Sequence, residues 1–134
     1  MRLPRILSPR VTASAHCDLP CGVYDPAQAR IEAESVKMIC EKYQANTDPE
    51  FRTRAIIIKE QRAELVKHHL WVLWTDYFKP AHFEKYPNLH QLFNEATKIA
   101  GGGGAKGSVD PAKADELLQK IDEISKIFWE TKKA

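Results

Sequence analysis

A chain of 134 residues, 43% hydrophobic and 28% charged, has the size of one ordinary domain and the composition of neither a disordered nor a membrane-spanning protein. Its 20 Lys and Arg against 18 Asp and Glu leave a formal charge of +2, without the basic excess of a nucleic-acid binder. Three cysteines are too few and too unevenly spaced for a disulfide scaffold, and no apolar run approaches the roughly 20 residues that span a bilayer.

The first fifteen residues, MRLPRILSPRVTASA, contain Arg2, Arg5 and Arg10 and no acid; without them 17 basic and 18 acidic residues remain, a charge of −1. The segment ends Ala13-Ser14-Ala15, which looks like a signal-peptidase site. Arg5, Pro9 and Arg10 nevertheless break the apolar stretch of about 7–15 residues that export requires. A leader removed in the cytoplasm fits better, with a plain terminus as the simpler alternative.

The remainder reads as helices. Asp-Pro precedes an apolar-periodic segment three times, at Asp25-Pro26, Asp48-Pro49 and Asp110-Pro111. Asp caps the orphan amides of a first turn, and Pro needs no amide partner there. The spacing predicts a helix over 26–45 with Ala29, Ala33, Val36, Cys40 and Tyr43 inward. A second is predicted over 49–79, ended by Pro80, with Phe51, Ala55, Ile58, Arg62, Leu65, His69 and Val72 inward. A short turn near 82–85 precedes a third over 87–100. Glycines 101–104 then open a flexible, low-complexity loop. A fourth covers 111–132, with Ala114, Leu117, Ile121, Ile124 and Phe128 inward. No strand pattern or repeat is present, so the fold class is all-α, an up-down four-helix bundle. Trp71, Trp74 and Trp129 exceed the needs of a small core and hint at an interface between subunits.

The chemistry lies before the first helix, in His16-Cys17-Asp18-Leu19-Pro20-Cys21-Gly22-Val23-Tyr24. The C-x3-C spacing departs from the C-x2-C of zinc ribbons and thioredoxin-like sites. Cys40 lies on a helix stripe and reads as a small core residue. By themselves the residues are compatible with a labile disulfide, a partial metal site or a simple loop. Cleavage after Ala15 would give His16 a free α-amine. That amine, the Cys17 amide nitrogen and the thiolates of Cys17 and Cys21 could then lie in one plane, a nitrogen and sulfur set that suits Ni(II) or Cu(II) rather than tetrahedral zinc.

HCDLPCGVYDPAQARIEAESVK closely resembles the amino-terminal region of nickel-containing superoxide dismutases. The resemblance continues through IKEQRAELVKHHLWVLWTDYFKPAHFEKYP and IFWETKKA, and so covers essentially all of the chain from His16 onward. It implies a propeptide over 1–15, removed by a processing protease, and a bundle domain over 16–134 whose nickel-binding hook is 16–24. It implies dismutation of superoxide to oxygen and hydrogen peroxide, with one nickel ion per subunit cycling between Ni(II) and Ni(III). The implied ligands are the His16 amine and imidazole, the Cys17 amide and thiolate, and the Cys21 thiolate. A cytoplasmic homohexamer is implied, with no nucleic-acid or membrane partner.

Tyr24, beside the hook, is expected to order water and limit access. A metal-bound His needs a partner to orient it, and the resemblance points to a chain His16–Glu32–Arg62. Arg62 falls on an otherwise apolar stripe, which is odd for a core. His68 and His69 are adjacent and expected to be structural, while His82 and His90 have no ligand spacing. A cis Leu19-Pro20 bond is expected to tighten the hook. The resemblance places Lys79 and Tyr77 toward the site, as a guide for the anion and a second ordering hydroxyl; the alternative is a lysine that merely answers the dipole at the end of the second helix. Two rivals stay open: a thiol redox or copper-handling protein using Cys17 and Cys21, and a helical interaction module carried by the tryptophans.

Overall fold

Each Asp-Pro pair sits where a helix begins. Asp25 accepts the Ala27 amide at 2.8 Å, Asp48 the Phe51 amide at 2.9 Å and Asp110 the Ala112 amide at 3.0 Å. The computed structural model describes residues 21–134. The expectations for 1–15, for His16 and Cys17, and for the Leu19-Pro20 bond lie outside them.

Five α-helices follow in order: α1 Ala27–Ala45, α2 Pro49–Val72, α3 Pro80–Lys85, α4 Leu89–Ile99 and α5 Pro111–Lys133. No strand occurs among the described residues. None of the described helices is long and apolar enough to cross a membrane. Helix α1 packs on α2 and α5, and α4 packs on α5 and α2. The enclosed core includes Ala29, Val36 and Cys40 of α1 with Leu117, Ile121 and Phe128 of α5. All five residues expected to face inward on α5 are buried, as are four of the five on α1; Tyr43 is half-buried.

Helix α2 differs. The periodicity puts Ile58, Arg62, Leu65 and His69 inward, but the helix buries Lys59, Ala63, Val66 and Leu70, one residue further along. The cause is visible in the sequence of this helix. Ile56, Ile57 and Ile58 are consecutive, so apolar spacing does not select a register; Ile57 stays 53% exposed. The buried row carries the small residues Ala55 and Ala63, on a helix that packs against α1. Lys59, only 2% exposed, is the one charged residue in the buried row. Its ammonium donates to the Ala105 carbonyl at 2.9 Å and to the Lys106 carbonyl.

Those carbonyls belong to the glycine segment, which is a hydrogen-bonded turn rather than the open loop expected. Ala105 N–H donates to Ile99 O at 2.7 Å and Lys106 N–H to Gly101 O at 3.2 Å. A methyl group at Gly104 would strike the Ile99 carbonyl, so the chain can close on itself there only with glycine.

The second helix also stops being α-helical before Lys79. From Leu73 to Tyr77 it widens into a π-helical turn, with Phe78 N–H donating to Leu73 O at 3.0 Å. Pro80 then opens α3 instead of merely ending its predecessor.

Candidate metal centre

The last residues of the hook motif enter the fold through a turn at Gly22, whose φ of 74° lies in the left-handed region that favours glycine. Cys21 is free and exposed, and the Val23 N–H points at its sulfur from 3.5 Å. Tyr24 is half-buried against the core, its ring 5.7 Å from that of Tyr77. Asp25, one residue on, starts α1. The end of the hook is thus held between the α1 N-terminus and the π-helical turn, which aims Tyr77 at Tyr24.

Tyr77 is itself enclosed. His82 stacks on it at 5.9 Å, Phe128 lies 4.3 Å away, and the Lys132 ammonium sits 5.2 Å from the ring centre. Its hydroxyl meets Thr131 Oγ1 at 2.7 Å. Tyr24 and Tyr77 are therefore brought together as the sequence reading expects. The contacts of Tyr77 with His82 and Lys132 lie beyond what spacing in the sequence predicts. For Thr131 a signal existed: it follows Phe128 by three residues and shares its face of α5.

Glu32 and Arg62 also meet. Arg62 Nη1 lies 3.2 Å and 3.1 Å from the two Glu32 carboxylate oxygens, joining α1 to α2. The Glu32 side chain is 15% exposed and that of Arg62 is 44% exposed. Arg62 is accordingly not a charge within the buried stripe. It flanks Ala63 and leans across to Glu32, and its link to His16 lies outside the described residues.

Other candidates separate cleanly. Cys40 is buried, and desolvation pushes its thiol above the ordinary value. The nearby Lys59 opposes that rise. His82 Nδ1 accepts the Lys79 N–H at 3.1 Å, and His90 Nδ1 accepts from Trp74 Nε1 at 2.9 Å while stacking on Phe83. Both are engaged in structure. His68 and His69 form an edge-to-face pair. Lys79 is exposed, two residues after Tyr77. Among the described residues no three His, Cys, Asp or Glu side chains gather to hold a metal. Cys21 is the one described member of the expected ligand set, and its exposed, amide-facing sulfur fits a soft thiolate ligand for nickel.

An exposed cysteine just ahead of the Tyr24–Tyr77 pair, on an all-helical scaffold, makes metal-dependent redox proteins the class to compare. The profile of nickel-containing superoxide dismutase matches residues 11–132. The chain is 67% identical over 132 residues to the superoxide dismutase [Ni] of Streptomyces coelicolor, covering 98% of this chain and 99% of the relative. It is 66% identical to that of Streptomyces seoulensis over the same shares. A native nickel superoxide dismutase structure superposes with a TM-score of 0.86 at 68% identity, covering 89% of this chain and all of the other. An apo structure superposes at 0.81 with 66% identity, covering 84% of this chain and all of the other. The chain belongs to the nickel-containing superoxide dismutase family. It is an oxidoreductase that uses nickel to dismutate superoxide, and the thiol redox and copper-handling reading finds no support.

Proposed function

We propose that the working centre is the hook 16–24, formed after cleavage behind Ala15. Its donors are the His16 amine and imidazole, the Cys17 amide and thiolate, and the Cys21 thiolate. Residues 16–134 then constitute the catalytic domain. The observation that carries this reading is the exposed Cys21 sulfur facing the Val23 amide, three residues before Tyr24 of the Tyr24–Tyr77 pair. The leader has further support: the native solved chain is covered in full, and the part of this chain left over is about the size of residues 1–15.

Two superoxide anions and two protons yield oxygen and hydrogen peroxide. Nickel, when bound, supplies a couple between its divalent and trivalent states, brought into range by anionic sulfur and nitrogen donors. The protein supplies the rest. Cys17 and Cys21 hold negative charge at the centre. Glu32, tied to Arg62 across α1 and α2, orients the His16 imidazole. Tyr24 screens the approach and orders water, since peroxide leaves protonated.

The domain is read as a four-helix bundle of α1, α2, α4 and α5 that assembles as a cytoplasmic homohexamer. Exposed Trp71, Trp74 and Trp129, each between 41% and 46% accessible, support burial between subunits. The leader's lack of an apolar stretch supports retention in the cytoplasm.

The test follows from the amine. With Ala15 attached, the His16 nitrogen is an amide and the primary-amine ligand does not exist. A chain beginning at His16 is expected to bind nickel and be active with nickel alone. The full-length chain is expected to bind it poorly and be inactive. Intact mass, nickel content and dismutase assay of both chains check this. Full activity of an uncleaved, nickel-loaded chain overturns it.

A further inference from the structure

Tyr77 Oη and Thr131 Oγ1 lie 2.7 Å apart, and from that distance alone either hydroxyl could donate. A second contact decides the direction. Thr131 Oγ1 also lies 2.7 Å from the Phe128 carbonyl oxygen, three residues back on α5. A carbonyl can only accept, and a threonine hydroxyl has one proton. That proton goes to Phe128, the common back-bond of a helical threonine. Thr131 therefore accepts from Tyr77. The phenol also has one proton, so Tyr77 Oη has only lone pairs left for any other neighbour.

We infer that Thr131 is a positioning residue that engages the Tyr77 proton, so that toward the metal centre Tyr77 Oη can only accept a hydrogen bond. One turn of α5 does this with two side chains. Phe128 packs against the ring at 4.3 Å, and Thr131 holds the hydroxyl. The consequence rests on the reading that Tyr24 and Tyr77 border the nickel hook.

Superoxide is an anion that offers only acceptor oxygens, so an acceptor-only Oη does not retain it. Water and hydrogen peroxide can donate to Oη. A water held in this way sends its second O–H elsewhere, where it can protonate reduced superoxide. The same group then favours proton supply over capture of the substrate anion. If Tyr77 were free to rotate its proton outward, it would bind the anion and no longer orient that water.

The test compares Thr131→Val with Thr131→Ser. Ultraviolet Raman spectra of the metal-free chains report whether a tyrosine donates or accepts, and Tyr77→Phe identifies the Tyr77 component. In the parent chain and in Thr131→Ser the Tyr77 component should show a strong donor. Thr131→Val should lose that signature. With nickel bound, Thr131→Val should be slower by about fivefold, the effect of one ordinary hydrogen bond, and Thr131→Ser should recover most of the rate. An unchanged Raman component in Thr131→Val overturns the assigned direction. A changed component with an unchanged rate overturns the positioning role. Parent-like activity of Tyr77→Phe would instead overturn the reading that Tyr77 borders the metal, leaving the direction of the hydrogen bond intact.

Discussion

A thiolate ligand must be reachable, and the two described cysteines differ in exposure. Cys21 is exposed with an amide hydrogen toward its sulfur, whereas Cys40 is 1% exposed and burial raises its thiol. Cys17→Ser and Cys21→Ser are therefore expected to abolish dismutation, because a hydroxyl does not replace a thiolate's charge at neutral pH. Cys40→Ser should keep the activity and cost about 1–3 kcal/mol of stability as a buried polar replacement. Dismutase assays beside urea titrations check both; a Cys40→Ser protein as inactive as the others would move the site. At this scale the sequence was informative where residues are neighbours along the chain. The hook motif and Tyr24 are contiguous, so the sequence presents the candidate donors side by side. Glu32 and Arg62 are thirty positions apart on different helices. No spacing rule joins them, and only the family resemblance did. Arg62 falls on the apolar spacing of its helix, yet it lies beside the buried row and not in it.

Helices α1 and α5 were legible because each follows an Asp-Pro pair and buries a stripe spaced by threes and fours. Helix α2 was not, because three successive isoleucines spread its apolar character around the axis. Lys59 was invisible for a related reason: a lysine reads as a surface residue until the carbonyls that receive it are known. Those carbonyls come from a glycine turn 46 residues away. Lys59→Met is expected to leave the buried Ala105 carbonyl without its donor and to cost about 1–3 kcal/mol, read as a lower urea midpoint. A midpoint equal to the parent's would mean that the turn closes without Lys59.

The short α3 carries a pH dependence of its own. His82 Nδ1 accepts the Lys79 amide at the start of α3, and burial, then Lys79 and Lys85, hold the imidazole below its ordinary 6.5. The unfolded chain therefore takes up the proton first. The contribution of His82 to stability is complete above the unfolded value of about 6.5 and is lost as pH falls through the lower folded value. Urea midpoints measured at intervals down from neutral pH should fall more for the parent than for His82→Gln, which has no proton to gain. Parallel pH profiles would remove His82 from the account.

On the scale of the whole molecule, charge does not draw the substrate in. The chain from His16 onward has a formal charge of −1, so any guidance of superoxide must come from cations near the mouth of the site. Lys79 and Lys132 are the two to weigh. Lys132 lies over the Tyr77 and Phe128 rings, its charge partly spent on them. Lys79 is exposed, two residues beyond Tyr77, and occupies the N-cap of α3. A helix dipole disfavours a cation at that end, so α3 itself gives no reason for a lysine there. Steering by Lys79 predicts that the catalytic rate falls as ionic strength rises, since the screening length is only about 10 Å in 0.1 M salt. Lys79→Ala should lower both the rate and the steepness of that fall, and Lys132→Ala should change the steepness less. Pulse-generated superoxide, followed over a series of salt concentrations, measures all three proteins. A salt slope that Lys79→Ala leaves unchanged would strip Lys79 of a steering role. A slope that falls in Lys132→Ala instead would transfer that role to the end of α5.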